Sequence, residues 1–165
     1  MVGFMKTTEK AFSLFRDVAK AQGVTGQPEA TFRVLADALR ALVGHKVMTV
    51  LKFDVAAMQS VRLYSSEPSY PLGGIKQHHP GAWSEAIVVR GRYFIAATTE
   101  EVRAAFPDHA GITAAGCGAV LCLPVLFDGR CLATLNLWHI SGHYDVASAE
   151  LAQPFSSFLI HACLN

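Results

Sequence analysis

Apolar positions change their period several times along this chain, and the changes mark its elements. Phe4, Ala11, Phe12, Phe15, Val18 and Ala19 recur at helical spacing and predict a first helix over residues 7–22. Gly23 and Gly26 end it. A second stripe, Phe32, Leu35, Leu39 and Leu42, predicts a helix that begins near Pro28, where a missing N–H is harmless, and stops at Gly44. The period then falls to two. Residues 45–53 and 58–64 read as two strands of a hairpin turning at Asp54. Alternation places Ser60, Arg62 and Tyr64 on one side of the second strand, and Val61 and Leu63 on the other. The polar set either meets solvent or projects into a cavity.

Residues 65–80 lose all periodicity and are rich in Pro, Gly and Ser, the signature of a long loop of the kind that often carries function. A short helix is expected over 82–89 and a short strand over 93–96. Thr98 with Glu101 three positions on forms a capping-box pattern and predicts another helix, ending near Phe106 and Pro107. A second loop, 110–118, leads into two apolar runs, 119–127 and 130–139, separated by Asp128 and Gly129. Asp-Gly between such runs is the strongest short hairpin signal, because both turn positions need positive φ. A last helix starts near Ser148, and Pro154 within it predicts a kink or a late start.

That final hairpin sets up two unlike faces. A regular register out from the turn puts Leu132, Thr134, Asn136 and Trp138 together, opposite Val125, Leu123, Leu121 and Ala119. The other face, with Cys131, Ala133, Leu135 and Leu137 opposite Leu126, Pro124, Cys122 and Val120, is plain core. A hydroxyl, an amide and an indole in an apolar wall is how small-molecule pockets are built. The competing reading is that Thr134 and Asn136 bond only to nearby protein groups. The order of elements predicts an α+β fold: an antiparallel sheet with terminal helices on one face and the loop-rich excursion over the other.

Composition narrows the function classes. Of 165 residues, 52% are hydrophobic and 16% charged, which suits one domain with a substantial core. The net charge of +1 comes from scattered Lys and Arg, so no nucleic-acid footprint and no polybasic membrane patch is present. No apolar run approaches the roughly 20 residues of a membrane span, and the N-terminal residues show no signal-peptide pattern, so a cytoplasmic location is expected. Four cysteines, Cys117, Cys122, Cys131 and Cys163, form no C-x-x-C pair, which argues against zinc. Cys122 and Cys131 lie four positions apart in the hairpin register, roughly 13 Å at strand rise, too far for a disulfide. Parity makes Cys117 the thiol on the Asn136 face, in a loop without a local cation to activate it. His78 and His79 are adjacent and point apart in an extended segment, which disfavours joint chelation. No Ser-His-Asp order, metal-binding His-Glu motif or phosphate loop appears.

The segment from about Pro28 to Cys163 resembles a GAF domain, the small-molecule sensor fold related to PAS. The matching stretches are RLYSS (62–66), YPLGG (70–74), Trp83, CGAVLCLP (117–124) and DGRCLATLNLWH (128–139). The resemblance implies a ligand cavity between sheet and excursion, and dimerisation through terminal helices. It divides the chain into an N-terminal helix, 1–26, as a dimerisation element, and a GAF domain, 27–165. Specialised branches fit poorly. Cys117 is followed by Gly118 rather than by the His common at bilin-attachment sites. The phosphodiesterase pattern Asn-Lys-Phe-Asp-Glu is represented only by Lys52, Phe53 and Asp54, on a strand. Free methionine sulfoxide reductases place cysteines in the excursion, and residues 54–116 contain none.

The expectation is therefore a sensory protein without catalytic residues, metal or cofactor, binding a small organic ligand and signalling through a partner or its own dimer. Arg62, Tyr64, Trp83, Cys117, Thr134, Asn136 and Trp138 would line the pocket, with Arg62 as the anion-binding candidate. The alternatives are a thiol-dependent reductase using Cys117, and a structural dimerisation module.

Overall fold

The longest apolar runs of the chain become the middle of one sheet. The computed structural model describes residues 2–164, with side chains from Thr7 onward. Strands β1 (Val47–Asp54), β2 (Gln59–Ser65), β3 (Ile75–Gln77), β4 (Phe94–Ala96), β5 (Ala119–Phe127) and β6 (Arg130–His139) pair antiparallel in the order β3-β2-β1-β6-β5-β4. β6 is buried along nearly its whole length because both faces of the sheet are covered. Asp128 and Gly129 both take positive φ, 50° and 70°, as the tight hairpin turn requires.

Helices α1 (Val2–Ala21) and α2 (Glu29–Leu42), with the C-terminal α6 (Val146–Ala152), a 3-10 segment (Gln153–Leu159) and α7 (Ile160–Leu164), cover one face. Phe32, Leu35 and Leu39 of α2 and Phe155 and Leu159 meet Leu121, Leu135 and Leu137 of the sheet there. Phe15 packs on Phe155 and Phe158 with ring centroids 5.3 and 4.4 Å apart. The buried side of α1 is Leu14, Phe15, Val18 and Ala21, rotated from the expected stripe, and Phe12 is 69% exposed. Ala19 also faces outward. The side chain of Phe4 lies outside the described residues. Pro154 opens the 3-10 segment, so the expected break between C-terminal helices falls there.

The excursion covers the other face. It consists of β3, α3 (Ala82–Ser84) running into a π-turn (Glu85–Val89), then β4, α4 (Thr99–Ala105) and α5 (His109–Ala114). Ile87, Val102, Phe106, Ile112, Val120, Cys122 and Trp138 form its own core. The hydroxyl of Thr98 accepts from Glu101 N at 3.2 Å, as the capping pattern predicts. β3 and α5 lie within stretches read as loops. Both are too short for a periodicity signal, and both exist because the sheet edge and the excursion core hold them. The expected α+β arrangement is the observed one.

Two bulges decide which side chains reach which face. β5 and β6 shift register between Val125 and Leu126, leaving Leu132 as the extra residue. The partners become Pro124 with Thr134, Cys122 with Asn136 and Val120 with Trp138. β1 and β2 shift between Val50 and Leu51, with Arg62 opposite Leu51 but Tyr64 opposite Val50. One extra residue reverses the facing of everything beyond it. The predicted partition of β5 is therefore inverted: Cys122 and Val120 join the Asn136 face, while Leu121, Leu123 and Val125 enter the helix-side core.

Candidate functional site

The excursion face presents Thr49 and Leu51 from β1, Arg62 from β2, Val120 and Cys122 from β5, and Asn136 and Trp138 from β6. The amide of Asn136 donates to Thr49 Oγ1 at 3.2 Å and accepts at Oδ1 from the Thr134 hydroxyl at 2.9 Å. All three residues are buried. The trio thus satisfies itself, and the reading in which Thr134 and Asn136 bond to protein neighbours describes this structure. Trp138 meets the edge of Tyr70 at 4.9 Å. The cavity left in front of them measures about 20 Å³, room for about one water.

The larger space lies to one side. A cleft of about 520 Å³ opens between β3 with the following segment, α3, β4 and α4, within the size range of small-molecule sites. Its walls include Lys76, His78, Trp83, Phe94, Arg103 and Phe106. Lys76, Trp83 and Phe106 line the inner cavity as well, so they form the partition between the two spaces. Trp83 stacks on His78 with centroids 5.0 Å apart and planes at 17°, and Phe53 stands edge-on to both. Trp83 lies two positions before a π-turn, a helical irregularity frequent at functional sites.

Charge gathers at the partition. Lys76 Nζ donates to Asp108 Oδ1 at 2.8 Å and sits 5.0 Å from the centre of the Phe106 ring. Arg62 donates through Nη1 to Pro71 O at 3.0 Å and lies 5.0 Å from the Tyr70 ring centre. Burial lowers the pKa of its guanidinium, which the Tyr70 and Asp108 side chains oppose. It stays charged across any physiological range. Burial likewise pushes His78 below the usual imidazole value, aided by the Lys76 charge. Four buried polar atoms on this side of the sheet reach no hydrogen-bond partner: Ser60 Oγ, Arg62 Nε, His78 Nε2 and Trp83 Nε1. Buried polar atoms are nearly always paired, so a group of four in one neighbourhood calls for a physical reason.

Of the seven residues expected to line a pocket, Arg62, Trp83, Asn136 and Trp138 do converge on the inner cavity, and Trp83 alone of them also lines the large cleft. Tyr64 is corrected. The β1–β2 bulge turns it to the helix side, where its ring packs 5.3 Å from that of Phe32. Thr134 is fully buried behind Asn136, outside both spaces. Cys117 packs in the excursion core and donates its thiol to Ala115 O at 3.6 Å. Burial raises its pKa, and that of Cys122 to about 12, with Cys131 and Cys163 to about 11, so all four thiols are held protonated. All four are free and buried. Cys122, not Cys117 alone, shares the Asn136 face. Sequence reasoning left Lys76, His78, Phe106 and Asp108 outside the site. Only the pairing of β3 with β2 and the packing of α4 bring them together.

Among the described residues no group of His, Cys, Asp and Glu is placed to hold a metal ion, and no helix is long and apolar enough to cross a membrane.

No protein-family model matches the chain, and no curated protein sequence matches it. Solved structures do. The GAF domain of A. aeolicus nlh2, solved in an inactive state, superposes with a TM-score of 0.70 at 12% identity, covering 93% of this chain and 94% of that one. The GAF domain of a phosphoenolpyruvate-protein phosphotransferase from Coxiella burnetii gives a TM-score of 0.68 at 13% identity, over 93% and 95%. The chromophore-binding domain of the bacteriophytochrome RpBphP3 from R. palustris gives 0.67 at 14% identity over 94% of this chain, which spans 60% of the length of that one. At these identities the likeness is one of fold, and the fold is that of a GAF domain.

Proposed function

From its GAF-domain fold and the cleft beside Trp83, we propose that this chain is a regulatory domain that binds a small organic ligand and passes its occupancy to a partner or to a second copy of itself. The observation that carries the reading is the coincidence of a 520 Å³ cleft with unpartnered buried polar atoms, His78 Nε2 and Trp83 Nε1, on residues of its wall. A ligand reaching those atoms would supply hydrogen bonds that no protein group offers them. Its binding would favour one arrangement of the excursion over others, which is the thermodynamic content of a signal. The inner cavity facing Asn136 is too small to hold a metabolite by itself, so the cleft is the primary site.

The chain contains two tryptophans, Trp83 and Trp138. In a Trp138→Phe variant the remaining indole reports the cleft directly. Metabolite libraries screened by thermal shift, with hits followed by titration of that fluorescence, should yield saturable changes, and Trp83→Ala in the otherwise unsubstituted chain should abolish the thermal shift. A library that neither raises the melting temperature nor alters Trp83 emission would remove the sensor reading.

A further inference from the structure

The partition between cleft and inner cavity is chemically one-sided. Arg62 Nε and Trp83 Nε1 carry protons that can only be donated, and neither reaches an oxygen or nitrogen acceptor. The Trp83 N–H faces the Cys122 thiol, whose sulfur is a weak acceptor. The carboxylate nearest to hand, Asp108, is already engaged by Lys76 at 2.8 Å. The charged residues lining the inner cavity are thus Arg62 and Lys76 against Asp108, one positive charge in excess. Taken over both spaces, Arg62, Lys76 and Arg103 stand against Asp108 and Glu101, still one positive charge in excess. The Glu101 carboxylate is occupied in accepting from Ala97 N at 2.6 Å. The flat apolar part of the wall is Trp83, Phe94 and Phe106, beside the more polar His78, His79 and Ser84.

Resting on the proposed ligand-binding role, we infer that the ligand is a monocarboxylate with a planar apolar body. The body lies in the cleft on Trp83 and Phe106. The carboxylate enters at the partition, where it accepts from Arg62 Nε–H and Trp83 Nε1–H and lies within the field of Lys76. A carboxylate supplies planar lone pairs matched to a guanidinium edge and cancels the single excess charge. A neutral amide offers one weaker acceptor and leaves the excess positive charge uncancelled. An amine adds positive charge to a site already in excess. A phosphate monoester brings up to two negative charges where the walls carry one positive charge in excess.

The test uses four probes of one shape: benzoate, benzamide, benzylamine and phenyl phosphate, titrated at millimolar concentration into the uniformly ¹⁵N-labelled full chain. The Trp83 indole and Arg62 Nε–H resonances are followed. Benzoate is expected to shift both, and to bind at least about tenfold more tightly than benzamide, the scale of one hydrogen bond to a charged group. Benzylamine should bind more weakly still. Arg62→Gln should bring benzoate to the level of benzamide. Because that variant also removes the contact to Pro71, the ratio in the unsubstituted protein is decisive. Equal binding of benzoate and benzamide, both shifting Trp83, overturns the carboxylate assignment and leaves the ligand-binding role standing. Tighter binding of phenyl phosphate than of benzoate overturns it also. No shift with any of the four overturns it, and failure of the library screen as well removes the role itself.

Discussion

His45 shows how a single buried side chain couples this fold to pH. It is 4% exposed, and its Nε2–H donates to Ala36 O at 2.8 Å while Nδ1 has no partner. Desolvation holds its pKa below the usual 6.5, with the charges of Arg40 and His139 adding to the effect and the Ala36 hydrogen bond opposing it. The unfolded chain therefore takes up a proton before the folded one does. The His45 contribution to stability is constant above about pH 6.5 and falls as the pH drops from there toward the depressed folded value. His78 and His139 are lowered in the same direction and steepen the loss. Chemical denaturation at about pH 7.5 and about pH 5.5 should show the midpoint falling with acid. His45→Gln should reduce that pH dependence without abolishing it, and an unchanged slope would mean that His45 does not titrate in this window. Cys122 belongs to the same scale. Its thiol, pushed up to about 12, acts as a small apolar group under Trp83 rather than as a nucleophile.

At the scale of elements, a few specific contacts add to the excursion's own core in holding it on the sheet. The 66–74 segment ties back onto β2 through Gly73 N to Arg62 O at 2.9 Å and Arg62 N to Gly74 O at 3.0 Å. Its Tyr70 reaches between Trp138 and α5, where a Cβ added to Gly111 would overlap the Tyr70 hydroxyl. Gly111→Ala must therefore displace either the ring or the helix. The expected cost is about 1–3 kcal/mol, typical of overpacking, read as a shift in the urea midpoint. Near-ultraviolet circular dichroism should change as Trp138 loses its edge-on neighbour. A variant as stable as the parent with an unchanged spectrum would show that Tyr70 moves freely. The C-terminal layer is bound differently. Gln153 and Ser156 of the 3-10 segment both donate to Pro124 O, at 3.1 and 2.9 Å, an acceptor the proline still offers although it has no N–H.

For the whole molecule, one sheet separates two cores of unequal kind. The helix side is packed with Leu, Phe and Ala. The excursion side contains the cleft, the inner cavity and the unpartnered polar atoms. Local stability should differ accordingly, since regions with fewer buried apolar contacts open at lower free energy. Hydrogen exchange should be slowest in β1, β5 and β6 and faster through 66–115. A ligand in the cleft should slow exchange in that excursion and leave the amides of α2 close to their free rates. Protection confined to α1 and α2 would move the ligand to the opposite face. The exposed Phe12 on α1 lies on the side of the molecule away from the cleft, so any output through the terminal helices must travel through the sheet.

Local sequence determined the elements. Apolar spacing set α2 and the long strands, Asp128 with Gly129 set the final turn, Thr98 set the start of α4, and Pro154 broke the last helix. Each depends on interactions within a few residues, which is why they are legible in one dimension. The α+β layering follows from the same order of elements, and RLYSS and the 128–139 stretch resemble a GAF domain on sight. Tertiary structure decided the facing. The bulges at Leu132 and near Leu63 are set by pairing with partner strands, and each flips every side chain beyond it. They sent Tyr64 to the helix core and brought Cys122 under Trp83. The position of the cleft was decided in the same way. Lys76, Phe106 and Asp108 meet only because β3 pairs with β2 and α4 packs across the sheet, contacts between residues about thirty positions apart that no local pattern encodes.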